Sequence, residues 1–157
     1  MTTLFLHGDL FESANERSGK RALAFGADCS GTMDAGVAVA FRTRFPAFAE
    51  AFAAHGATHA MQPGDLFAFR EGETTIYALG IQQSGSRPKV SHLERAAQKM
   101  LAHAVAESIP VIFLPRLGAG KNGLDWLRVK NLLTELGKRG PTELVVFEQF
   151  IRTRPAT

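Results

Sequence analysis

One cysteine, Cys29, stands in 157 residues, which excludes an intramolecular disulfide and fits a reducing compartment. Basic runs are absent too, beyond the pairs Arg42/Arg44 and Arg152/Arg154. The net charge of +3 and pI near 9.4 therefore describe a solvated surface, with a nucleic-acid face as the less favoured reading. No apolar stretch approaches the length of a membrane span. Residues 1–10 lack the charged start and long apolar core of a signal peptide. The expectation is a soluble, cytoplasmic protein with no membrane partner. Metal-ligand company is missing around every histidine: His7 adjoins a turn, His55 and His59 fall in a polar loop, and His92 and His103 fall on a helix. Neither zinc nor any other cofactor is expected. Cys29 has no paired histidine, which makes it a small filler rather than a nucleophile.

What is present is 45% hydrophobic and 21% charged, enough for one domain with a proper core. Residues 1–152 are expected to form that domain, as a monomer, with 153–157 as a frayed tail. Short apolar runs predict strands at 4–6, 22–25, 65–69, 75–79, 111–114 and 144–147, with 65–79 a hairpin through Glu71, Gly72 and Glu73. Helical spacing predicts helices from Gly36 to Arg44, from Pro46 onward, over 89–107 and over 124–138. Residues 12–20 read as polar and irregular. Strands alternating with helices give an α/β class, a three-layer α/β/α sandwich around a mixed, largely parallel sheet. Ligands of such sheets bind at the carboxyl ends of strands, where the loops at Gly8-Asp9, 26–36 and 115–123 all emerge.

The last of these loops sits in LPRLGAGKNGLDW, residues 114–126, between a strand and a helix. A triphosphate loop needs a glycine where Pro115 stands and Ser or Thr where Asn122 stands, so that reading fails. The dinucleotide fingerprint is incomplete as well. What remains is glycine backbone that lets N–H groups approach an anion, with a helix N-terminus beyond it.

Five segments in order, HGDLF, GADCSGTMDAGVAVAFRTRFP, YALGIQQSGSRPKVSHLERA, LPRLGAGKNGLDW and ELVVFEQF, resemble the macrodomain family. Within it they are most similar to the branch of the terminal ADP-ribose protein glycohydrolase and its bacterial relatives. The resemblance implies the macrodomain sandwich, ADP-ribose as ligand and a mono-ADP-ribosylated protein as partner. It makes Asp9, beside Leu10, the acceptor of the adenine amino group, and Phe147 the ring that stacks on adenine. Without a ligand the two read as a turn former and a core residue. Ala27 and Asp28 border the same site. Asp34, Ala35, Gly36 and Val37 match the loop that faces the diphosphate and distal ribose. Pro115, Leu117, Gly118, Ala119, Gly120, Lys121 and Asn122 match the second phosphate loop.

In that branch a lysine attacks the anomeric carbon and an aspartate completes the reaction. Here the lysine position falls within Gly80-Ile81-Gln82-Gln83, and the aspartate position falls on Asn122. Neither group is present. Asp34 either orients and deprotonates a water or caps the following helix. Gln82 or Gln83 would hold ribose hydroxyls or that water, since an amide is no base at neutral pH. Asn122 completes the expected catalytic set, although Asn122 and Asp125 also read as a capping box. A carboxylate leaves without a general acid, so such a site suits ADP-ribose esterified to Glu or Asp. The other readings are an ADP-ribose binder without turnover, deacylation of O-acetyl-ADP-ribose, and removal of ADP-ribose from nucleic acid.

Overall fold

The computed structural model describes residues 2–58, 60–83, 85–118 and 123–150, with the side chain of Phe150 left aside. Within them, six strands and five helices alternate: β1 (Thr3–Gly8), α1 (Leu10–Glu16), β2 (Arg21–Asp28), α2 (Val37–Arg44), α3 (Pro46–Ala57), β3 (Leu66–Glu71), β4 (Thr74–Gln82), α4 (Val90–Ala106), β5 (Val111–Pro115), α5 (Trp126–Gly137) and β6 (Glu143–Phe150). The sheet order is β1-β6-β5-β2-β4-β3. All neighbours pair parallel except β3 and β4, which form the expected hairpin. Parallel strands all end on one edge, and that shared edge is what gathers the loops of interest.

Each face of the sheet carries its own core, which makes the three layers. On one face Phe25 of β2 meets Phe41 of α2 at 4.5 Å between ring centroids, and Phe48 and Phe52 of α3 close over it. On the other, Leu93, Ala96 and Met100 of α4 and Val129 and Leu133 of α5 cover Tyr77, Leu79, Ile112 and Val146. Each fully buried large side chain contributes about 1.5–3 kcal/mol relative to exposure, so the phenylalanine cluster is a main anchor of α2 and α3. None of the described helices is long and apolar enough to cross a membrane.

Two expectations are corrected. Residues 12–16, expected to be irregular, belong to the helix α1, which Asp9 caps and which buries Leu10, Phe11 and Ala14. His55 lies in the last turn of α3 rather than in a loop. His59 and the expected tail 153–157 lie outside the described residues.

Candidate active site

At the carboxyl edge of the sheet the strand ends and their loops enclose an open cleft of about 590 Å³. Glycine shapes its floor. A Cβ on Gly26 would lie 2.8 Å from the Ile81 side chain and 3.7 Å from the Gly118 backbone nitrogen, so a bare β2 lets the loop after β5 approach. Gly118 has φ +66°, a left-handed value that favours glycine. The Leu124 N–H donates to its carbonyl at 2.7 Å and closes the loop. Ala119, Gly120, Lys121 and Asn122 within that loop lie outside the described residues.

The second wall is the chain between β2 and α2. Asp28 accepts from the Ser30 N–H at 2.9 Å through Oδ1, and the Cys29 N–H donates to the Gln82 carbonyl at 2.9 Å. Gly56 of α3 has no room for a Cβ, which would run into the Ser30 carbonyl, so this loop is seated directly on the helix. Beyond it the chain turns at Gly36, φ +61°, and α2 begins at Val37. The first N–H groups of a helix have no acceptor within it. Here Val37 and Ala38 bring them to the cleft together with the positive end of the helix dipole.

Asp34 lines this cleft but does not cap α2. Gly36 occupies the cap position, no side chain bonds there, and the Asp34 carboxylate accepts from Arg42 at 3.0 Å. The expected helix-capping role is therefore replaced by an exposed ion pair. The capping box is corrected in the same way. Asp125 itself is the N-cap of α5, accepting from the Leu127 N–H at 3.1 Å, and the helix starts at Trp126.

The structure brings Ala27, Asp28, Asp34, Ala35, Gly36, Val37, Gln82 and Gly118 together on the cleft wall. Gln83, one residue on from Gln82, is not part of that wall. Its Oε1 is buried without a hydrogen-bond partner among the described residues. Four of the expected ligand contacts have buried side chains. Leu10 is 0% exposed, Leu117 1% and Phe147 2%, and Pro115 is buried too. The strand expected to stop at Phe147 continues to Phe150, which leaves the Phe147 ring inside, beside Gly8. Asp9 is 6% exposed, and its Oδ1 accepts from the Phe11 and Glu12 N–H groups at 2.9 and 3.3 Å.

Sequence reasoning passed over Arg116. It is exposed at the end of β5, lines the cleft, and lies over the ring of Trp126 at 5.1 Å. The available signal was a guanidinium immediately before the glycine loop in PRLG. Cys29, by contrast, is buried, and burial pushes its thiol up to about 11, with Asp28 and Asp65 adding to the effect. It is a neutral filler. Among the described residues no three His, Cys, Asp or Glu side chains gather as metal ligands.

The chain is similar to known proteins over most of its length. The model of the Macro domain family matches residues 25–133. The human ADP-ribose glycohydrolase OARD1 is 23% identical over 144 residues, 91% of this chain and 89% of that protein. A DNA ADP-ribosyl glycohydrolase of Thermus aquaticus is 26% identical over 136 residues, 83% of this chain and 36% of the relative. Among solved structures, the macrodomain of Thermus aquaticus DarG superposes with a TM-score of 0.82 at 24% identity, over 93% of this chain and 97% of that one. Thermosipho africanus DarTG in complex with ADP-ribose also gives 0.82, at 16% identity, over 99% and 43%.

Proposed function

Because the chain belongs to the macro domain family, we propose that it binds ADP-ribose in the cleft at the carboxyl edge of its sheet and hydrolyses mono-ADP-ribose from modified proteins. The names of its relatives, ADP-ribose glycohydrolase and DNA ADP-ribosyl glycohydrolase, support the reaction class. The observation that carries the reading is the convergence of Asp34, Gln82 and Gly118 on one cleft wall, beside the N-terminus of α2.

The diphosphate lies against the N–H groups of α2 and the loop that opens at Gly118. The anomeric carbon then faces Asp34. Water attacks that carbon and gives up a proton to the Asp34 carboxylate, while the bond to the departing oxygen breaks. Gln82 holds the water or the ribose hydroxyls and exchanges no proton. No amine takes part at this position. The substrate with the easiest departure is an ester of Glu or Asp, which leaves as a carboxylate. The adenine amino group is assigned to Asp9. The protein works as a monomer in this reading, which sedimentation at working concentration tests.

The direct experiment measures free ADP-ribose released from a protein carrying it on glutamate, with Asp34→Ala beside the wild type. Release by the wild type alone is expected. No release, with the modified protein retained on the domain, would make it a binder without turnover. Activity on modified nucleic acid that falls steeply with salt would move the substrate there.

A further inference from the structure

The geometry points to Arg116 as the cation that meets the ligand's diphosphate, held in place for that contact by the ring of Trp126. The inference rests on the ADP-ribose reading and adds to it a residue and a frame.

Among the described residues lining the cleft, Arg116 is the sole cationic side chain, whereas Asp28 and Asp34 contribute carboxylates. A diphosphate brings two further negative charges into that company. Asp34 is already paired with Arg42, and Asp28 accepts from the Ser30 N–H. Backbone N–H groups at Gly118 and at the start of α2 supply only partial charges. Among the described lining residues, full positive charge comes from Arg116.

The frame behind it is built from four side chains. Trp126, the first residue of α5, donates from Nε1 to Glu148 Oε2 at 3.1 Å. Lys130, one turn on, donates to Glu148 Oε1 at 3.0 Å and lies over the Phe5 ring at 4.7 Å. Phe5 meets Trp126 edge-on at 6.4 Å. The indole is thereby fixed from its edge and its nitrogen. The Trp126 and Lys130 bonds also hold the Glu148 carboxyl below the usual range, so the frame persists at neutral pH. A guanidinium held over a ring face by cation–π attraction keeps the N–H donors that point away from the ring open. Those donors remain able to take two phosphate oxygens at once.

Trp126 is the chain's single tryptophan, so its emission reads the contact directly. The full chain is titrated with ADP-ribose by calorimetry and by fluorescence, at low and high salt, as wild type, Arg116→Gln, Trp126→Leu and the double variant. Expected for Arg116→Gln is an unchanged melting temperature, about ten- to hundredfold weaker binding, a flattened salt dependence and loss of the emission change. Trp126→Leu weakens binding about three- to fivefold, and by less than twofold once Arg116 is gone, because its contribution acts through that residue. Arg116→Gln binding within twofold of the wild type, or weakening with the wild-type salt dependence, overturns the inference while leaving the ADP-ribose reading intact. Additive losses overturn the role of Trp126. A wild type that does not bind ADP-ribose at all overturns the reading on which both rest.

Discussion

The Asp34 carboxylate and the Arg42 guanidinium meet at 3.0 Å, although eight residues separate them and the start of α2 lies between. Both side chains are exposed, so the pair adds at most about 1 kcal/mol to stability. Its consequence is positional. One oxygen of Asp34 is engaged toward the helix, which in the proposed reaction restricts where the other addresses the attacking water. Arg42→Ala is therefore expected to leave the melting temperature within about 2 °C of the wild type and lower kcat roughly tenfold with little change in KM. Arg42→Lys restores part of the loss. A parallel rise in KM with kcat unchanged would show that the guanidinium binds ligand and does not position Asp34.

Asp9 caps α1 and, in the proposed function, also receives the adenine amino group; a pair of substitutions separates the two. Its Oδ1 caps α1, and Asn caps as well as Asp, whereas Ala costs about 1 kcal/mol. Asp9→Asn should keep the thermal midpoint and yet weaken ADP-ribose, because an amide nitrogen now competes for the place of a carboxylate oxygen facing the adenine amino group. Asp9→Ala should lose both stability and affinity. Equal affinity in Asp9→Asn and wild type, measured by calorimetry, would leave Asp9 as a cap alone.

The strands were legible because each is a short apolar run between turn residues, and the hairpin because Gly72 marks it; φ there is +64°. α1 was not, since its buried side chains, Leu10, Phe11 and Ala14, are followed by a polar stretch, and its start signal, Asp9, also fits a ligand contact. Asp34 looked like a cap because D-A-G precedes an apolar helical pattern. Only the fold shows that Gly36 takes the turn and that Arg42 claims the carboxylate. Phe147 has the strand period of a core residue in step with Val145, but polar Glu148 and Gln149 hid the strand's continuation. Arg116 carries only a positional signal, its place just before the glycine loop, because loops have no periodicity to mark a site residue. The ring it lies over belongs to Trp126, ten residues later.

Gly56 tests whether the cleft wall depends on α3. A methyl group there would run into the Ser30 carbonyl, which has no flexible end to give way. Gly56→Ala gains helix propensity, worth up to about 1 kcal/mol, yet is expected to destabilise by about 1–3 kcal/mol through overpacking against backbone. Because Ser30 lies in the loop between β2 and α2 that carries Asp34, ADP-ribose affinity should fall with it. A chemical-denaturation midpoint at or above that of the wild type would show that the loop moves aside at no cost.

Cys29 carries a pH dependence of definite sign. Burial is the main cause that raises its thiol from 9.0 to about 11 in the fold. A raised folded value means that the protonated thiol stabilises the native state, fully below pH 9.0, and that this contribution is lost as pH climbs through about 11. Stability measured by denaturant titration should accordingly decline between those values more steeply than in Cys29→Ala, where this group no longer titrates. The same burial predicts a kinetic result. At pH 7 the native thiol should resist an aromatic disulfide reagent until the chain is unfolded, since thiolate and access are both lacking. Rapid labelling of the native protein would mean that the chain between β2 and α2 opens readily, and then the wall that presents Asp34 would be assembled by the ligand instead of waiting for it.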